Sequence, residues 1–256
     1  RTWVDPNSFE GPGPGWQPMP VPDGFDYDFW LGPAPDAPYH VERCFHRWRY
    51  ILDYSNGQTC NFGAHTNDIA QWALGMDGTT PVEFEDNGAE FPPDGSLFTA
   101  ATRTAFRARY ANGIELFCET RSSSATRFEG TAGWLEIDLG GGLRTYPENL
   151  SGTVLGPQDV HLPSSNPTRE ENVRKLIDAD HVRNFLDAVK SGQDPIEPVE
   201  VGHSTASLCI LGNIAQILKR KFTWDPAAER SPDDADVNAM LSRPMRDPWG
   251  AEGLEV

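Results

Sequence analysis

FTAATRTAFRARYANGIELFCET, residues 98–120, is the stretch whose reading decides the fold. Apolar and polar residues alternate along it with the two-residue period of half-buried strands, and Ala111-Asn112-Gly113 interrupts the alternation. An Asn-Gly step supplies the positive φ that a tight turn needs, so the stretch reads as a β-hairpin. A second strand pair follows: ATRFEG at 125–130, a turn near Thr131-Ala132-Gly133, and WLEIDL at 134–139, closed by Gly140-Gly141-Gly142. Strands that succeed one another in this way exclude the strand–helix alternation of a parallel nucleotide-binding sheet.

Helical patterns lie on both sides of the strands. IAQWAL at 69–74, preceded by Asp68 and stopped by Gly75, is the first. ADHVRNFLDAVK at 179–190 places Val182, Phe185, Leu186 and Val189 at helical spacing, with Gly192 as its stop. A longer helix is expected from Gly202 to Lys219, burying Ala206, Leu208, Ile210, Leu211, Ile214, Ile217 and Leu218. Residues 151–167 read as a polar loop, Phe222-Thr223-Trp224 as a short extended piece, and 225–256 as a polar, Pro-punctuated tail. Residues 1–40 are crowded with Pro and Gly, which disfavours a helix or a central strand there. Yet Trp3, Trp16, Phe25, Tyr27, Phe29 and Trp30 are too many aromatics for a disordered tail. The expectation is an extended arm over 1–40, laid across this chain or a neighbouring subunit, and one α+β domain over 41–256. That domain is an open, mostly antiparallel sheet with helices packed on one face, leaving the other face to be covered or to serve as an interaction surface.

The 256 residues, 38% hydrophobic, suffice for one sizeable core. A net charge of −17 argues against nucleic acid or an anionic membrane as partner, since both select a basic face. No run of about 18 apolar residues stands out as a membrane span. Four of the 21 basic residues are lysines, which fits a solvated acidic surface, salt adaptation or a GC-rich genome. Cys44, Cys60, Cys118 and Cys209 form no CxxC pair and read as isolated buried thiols, with no zinc-ligand spacing. The compartment is not legible.

GQTCNFGAHTNDIAQW at 57–72 carries the chemistry. His65 and Asp68 are three residues apart at a loop-to-helix junction and share a face at helical spacing. A histidine there, beside Asn61, can exchange a proton with a bound hydroxyl. Equally, Asp68 can cap the helix and His65 can serve backbone groups. Trp48, Arg49 and Tyr50, just upstream, either pack in the core or meet a sugar through an aromatic face and polar groups. The glycine run at 140–142 lacks the GxGxxG or GxxxxGK[ST] pattern of a phosphate loop.

GAHTNDIAQWALG (63–75) resembles the G-x-H-x-x-D-x-A-x-W element of the C-terminal domain in Gfo/Idh/MocA oxidoreductases. DYDFWLGPAP (26–35), PYH (38–40), FEGTAGWLEID (128–138), the run from His181 to Pro226 and MLSRPMRDPW (240–249) fit the same family in the same order, within a large bacterial branch. The resemblance implies a substrate and oligomerisation domain that works with an N-terminal Rossmann domain binding NAD(P). It implies oxidation or reduction of a sugar, cyclitol or glycoside by hydride transfer. His65 takes the place of the family's acid/base histidine. Asn61 stands where the family has an aspartate, and an amide takes up no proton. Trp48, Arg49 and Tyr50 fall where relatives build the pocket wall; Asp68 and His181 are read as further substrate contacts, though Asp68 also reads as capping or positioning the helix and His181 and Arg183 as solvent-facing.

No segment here reads as the nucleotide domain, and no Glu-Lys-Pro motif lies upstream of the arm. The resemblance puts Arg1-Thr2-Trp3 at the end of the domain's first strand, so a piece of a longer polypeptide is expected, inactive as a dehydrogenase by itself. The alternative is a Rossmann-less carbohydrate-binding or subunit-interaction module, toward which Asn61 leans. A cofactor-free lyase or hydrolase using His65 would need a second acid/base group. Homo-oligomerisation through the open sheet and the arm is implied by family habit.

Overall fold

Strands, not the arm, organise the N-terminus. The computed structural model describes residues 1–6, 11–152 and 180–250, the side chains of residues 180 and 181 excepted. Strand β1 (Thr2–Val4) lies in the middle of an eight-stranded sheet, so the expectation that 1–40 holds no central strand is corrected. The other strands are β2 (Glu83–Asp86), β3 (Ala105–Arg109), β4 (Glu115–Thr120), β5 (Ala125–Gly130), β6 (Gly133–Asp138), β7 (Leu143–Tyr146) and β8 (Phe222–Thr223). Their order is β7-β6-β5-β1-β4-β3-β2-β8. Among the described residues only β1 and β4 pair in parallel; the remaining pairs are antiparallel.

The hairpin expected at 98–120 forms as β3 and β4, with Gly113 at φ 88° in its turn. Its first strand is shorter than expected, starting at Ala105. Upstream, the N–H groups of Thr99 and Ala100 donate to the Tyr50 carbonyl, and those of Thr102 and Arg103 to that of Glu90. Those donors are spent away from the ladder. The second pair forms as β5 and β6, and the glycine run leads into β7 rather than ending the sheet.

Two helices cover one face: α3 (Gly63–Leu74) and α5 (Val199–Leu218). Short helices occupy α1 (Tyr27–Leu31), α2 (Gly57–Asn61) and α6 (Ala235–Ala239), and α4 spans Asp180–Ser191. Gly75 ends α3 at φ 65° as expected, but α3 begins five residues before Asp68, which is therefore mid-helix and not a cap. Phe84, Phe106, Leu116 and Cys118 of the sheet pack against Leu208, Leu211 and Ile214 of α5. Each such side chain, fully buried, stabilises the fold by roughly 1.5–3 kcal/mol. Gly212 sits so close to Phe106 that a Cβ would lie 2.6 Å from the ring.

Polar groups also lock the layers. Thr2 Oγ1 donates to Asn67 Oδ1 of α3 at 2.6 Å, and Thr126 Oγ1 donates to the Thr66 carbonyl at 2.7 Å. Ala105 N–H donates to Gln216 Oε1 of α5 at 2.9 Å. These bonds explain how a three-residue strand holds the centre of the sheet.

The helical faces differ from expectation in places. Ile210 is 38% exposed and Ala206 is exposed, so neither belongs to the buried stripe of α5. On α4, Phe185 and Val189 are exposed among the described residues. In length and apolar composition α5 does reach what a membrane span needs, correcting the sequence reading, but about half of it is buried inside the domain. It also carries Thr205, Asn213 and Gln216, all bonded to protein groups.

A second cluster, Tyr50, Ile51, Leu97 and Phe98, takes in Trp16 from the Pro/Gly-rich stretch. Leu97 N–H donates to the Pro12 carbonyl, and the Arg43 guanidinium lies over both Trp16 (5.5 Å) and Tyr54 (5.9 Å). Arg246 reaches back to Asp28 and to the Gly32 and Ala34 carbonyls. The thiols are free, and Asn67 Nδ2 donates to Cys209 Sγ at 3.3 Å.

Candidate active site

His65 is the third residue of α3, with its side chain exposed and its ring edge-on to Phe62 at 6.2 Å. Three residues on, Asp68 turns to the same side, as helical spacing requires. Together with Thr205 of α5, Leu139 beyond β6 and Glu197 before α5, they line a cavity of about 370 Å³.

The Asp68 carboxylate is held from behind. Tyr110 O–H donates to Gln71 Oε1 at 3.1 Å, Gln71 Nε2 donates to Thr205 Oγ1 at 3.1 Å, and Thr205 O–H donates to Asp68 Oδ1 at 2.9 Å. Tyr110, Gln71 and Thr205 are buried, so the chain is shielded from water and every link points toward the carboxylate. Burial pushes the Tyr110 phenol well above its ordinary range, which keeps it a donor. Asp77, beyond the end of α3, has its carboxyl raised by burial and then by the Asp68 charge. Thr205, Gln71 and Tyr110 were absent from the sequence reading. The available signal was Ser204-Thr205 just ahead of the apolar run Leu208–Leu211.

Other expected site residues lie elsewhere. Asn61 ends α2, donates through Nδ2 to Gln58 Oε1 at 2.9 Å, and does not line the His65 cavity. Tyr50 is 1% exposed within the second core cluster, so its expected contact with substrate is corrected: its ring fills the core. Trp48 and Arg49 lie on a 3₁₀ turn, Phe45–Tyr50, and neither lines the His65 cavity. Trp48 is 41% exposed, and the Arg49 fork meets the His46 imidazole at 2.6 and 3.1 Å. Phe45, which opens this turn, takes a positive φ of 52° and is 70% exposed. The side chain of His181 lies outside the described residues.

Among the described residues, the glycine run at 140–142 does not form a phosphate cradle. Gly140 and Gly142 both turn their N–H groups onto Asp138 Oδ1, at 2.9 Å each. A carboxylate thus fills the cradle and would repel a phosphate. Among the described residues no group of His, Cys, Asp and Glu is arranged to hold a metal ion.

An open mixed sheet with helices on one face, and a histidine–carboxylate cavity between those helices, make this an α+β domain. The sequence matches the family described as "Oxidoreductase family, C-terminal alpha/beta domain" over residues 13–151 and 154–251. The chain belongs to the Gfo/Idh/MocA oxidoreductase family as that C-terminal domain. Comparison with curated proteins finds no match. Among solved structures, the aldose-aldose oxidoreductase from Caulobacter crescentus complexed with glycerol is similar at 17% identity and a TM-score of 0.46, over 70% of this chain and 51% of that one. Levoglucosan dehydrogenase in complex with NADH and levoglucosan is similar at 15% identity and a TM-score of 0.46, over 69% and 52%. The WlbA dehydrogenase from Chromobacterium violaceum, in complex with NADH and UDP-GlcNAcA, is similar at 13% identity and a TM-score of 0.44, over 70% and 49%. The chain therefore spans about half the length of these relatives.

Proposed function

We propose that this chain forms the substrate side of an NAD(P)-dependent oxidoreductase acting on a sugar, cyclitol or glycoside, with the nucleotide bound by another domain. The observation that carries the reading is the cavity shared by His65 and Asp68, with the carboxylate fixed through Thr205. His65 is exposed to the cavity and has two ring nitrogens, so it can give a proton to, or take one from, a substrate hydroxyl. Asp68 accepts from a second hydroxyl and orients the ring. Trp48 and Arg49 form a more distant wall of the substrate path, and His181 a further contact. NAD(P) supplies hydride chemistry in this family; no residue described here holds it.

In the polypeptide that unites this chain with a nucleotide domain, His65→Ala should lower kcat for sugar oxidation by about 10²–10⁴-fold while the fold persists. Unchanged turnover would remove His65 from the mechanism. One observation favours the alternative of a carbohydrate-binding module without dehydrogenase activity: residue 61 is an amide tied to Gln58, not a carboxylate facing His65. Restoring the acid with Asn61→Asp separates the two readings. A gain in turnover supports the oxidoreductase, and sugar binding without turnover in either form supports the module.

The open sheet face supports self-association. Arg127 lies over Trp134 of β6 at 3.9 Å, Arg121 over the buried Trp3 of β1 at 4.1 Å and Arg1 over Phe117 of β4 at 4.9 Å. Sedimentation of Trp134→Glu should show dissociation of a homo-oligomer; a monomeric wild type would end this part of the reading.

A further inference from the structure

A second cavity, of about 490 Å³, opens beside the C-terminal half of α5. It shares no lining residue with the His65 cavity. Ile210 and Ile214 of α5 and Met240 make apolar walls, Asn56 and Asn213 form a polar side, and Arg243 contributes a guanidinium. Its size falls within the range of small-molecule sites.

Asn213 is the decisive residue. It is 2% exposed, and its Nδ2 donates to Asn56 Oδ1 at 2.9 Å. Its Oδ1 has no partner among the described residues, although a buried amide oxygen is costly to leave unbonded. Exchanging oxygen and nitrogen in both amides would preserve the Asn56–Asn213 bond and turn the open acceptor into an open donor. Either way, one end of a buried amide in the cavity wall lacks a partner among the described residues. A hydroxyl both donates and accepts, so it satisfies either arrangement.

Charge narrows the class further. Among the described residues no Asp or Glu lines the cavity, so a cation would lose hydration without a counter-charge. A sugar or cyclitol presents a C–H face to Ile210, Ile214 and Met240 and a hydroxyl edge to Asn213, while Arg243 donates to a further oxygen. We propose that this cavity is a second ligand site, taking a polyhydroxylated molecule of monosaccharide size, anchored on Asn213 and separate from the His65 site.

The test is titration of the 256-residue chain with D-glucose and with myo-inositol, followed by the side-chain amide NMR signals of Asn213 and Asn56. At least one of the two probes should shift these signals saturably. Ser242→Trp, placed at an exposed lining position to fill the cavity, should weaken that response at least about tenfold, the loss expected when roughly one hydrogen bond goes. His65→Ala should leave the response in place, so the outcome is independent of the function proposed for the first site. Asn213→Leu, if it retains its fold, should abolish the response. The proposal is overturned if neither probe moves the two amides, or if Ser242→Trp leaves the response intact while His65→Ala removes it.

Discussion

Replacing Gln71 by leucine should be among the most damaging single changes that leave the apolar core unaltered. Gln71 is fully buried, accepts from the Tyr110 hydroxyl at 3.1 Å and donates to Thr205 Oγ1 at 3.1 Å. Leucine has no hydrogen-bonding group and removes both bonds. Thr205 keeps its partner because it still donates to Asp68, so on that side only the net worth of one bond, about 1 kcal/mol, is lost. Tyr110 is different. At 2% exposure its hydroxyl would be stranded away from water, a penalty of about 1–3 kcal/mol. The sum is about 2–4 kcal/mol, or roughly 4–16 °C in melting temperature for a chain of this size. Adding Tyr110→Phe removes the stranded hydroxyl and should recover most of its share, giving a coupling of about 1–3 kcal/mol in a double-mutant cycle. Urea or thermal unfolding of the four proteins measures all of this. A Gln71→Leu protein within about 0.5 kcal/mol of wild type, or a cycle with no coupling, would refute the assignment of these bonds.

Three further outcomes follow from the same geometry. The Arg109 hydrogen bond, then Lys221, holds the Glu83 carboxyl at about 2, below its ordinary value of 4.5; the stabilisation is present at neutral pH and is lost as pH falls from about 4.5 through about 2. Melting in low salt should show this loss, and Glu83→Gln should flatten that part of the curve; an unchanged profile would contradict the pairing. Gly212→Ala drives a Cβ to 2.6 Å from the Phe106 ring and should cost about 1–3 kcal/mol by overpacking, read as a lower urea midpoint. Burial raises Cys44 to about 11 and Cys118 to about 12, and Cys209 is raised by neighbouring Cys60 and by burial. Alkylation of the native protein should therefore start at half-buried Cys60 and leave the other three unlabelled until unfolding; rapid labelling of Cys118 would contradict its place in the core.

Legibility in the sequence followed the range of the forces. The β3–β4 turn was legible because Asn112-Gly113 sets it locally, and the end of α3 because Gly75 does the same. Thr2–Val4 was not legible as a central strand. Its three residues carry no period of their own and are held by pairing with Cys118–Thr120 and by the Thr2–Asn67 bond, both far away in sequence. Tyr50 misled in the opposite direction. An aromatic next to Trp48 and Arg49 looks the same in sequence whether it meets a ligand or fills a core, and only packing against Leu97 and Phe98 decides.

For the candidate site, His65 and Asp68 at a spacing of three were enough to put both on one side of a helix, because an α-helix repeats every 3.6 residues. The motif around them was likewise enough to name the family. Which groups back that pair was settled by the tertiary structure, because the Tyr110–Gln71–Thr205–Asp68 chain joins a strand end to two helices across 137 residues between Asp68 and Thr205. The same holds for Asn61, whose type is visible in the sequence but whose turn toward Gln58, outside the His65 cavity, is a matter of packing. Local periodicity and turn chemistry act over a few residues and are written in the sequence; the partner of a buried polar group is chosen by whatever the fold brings within about 3 Å of it.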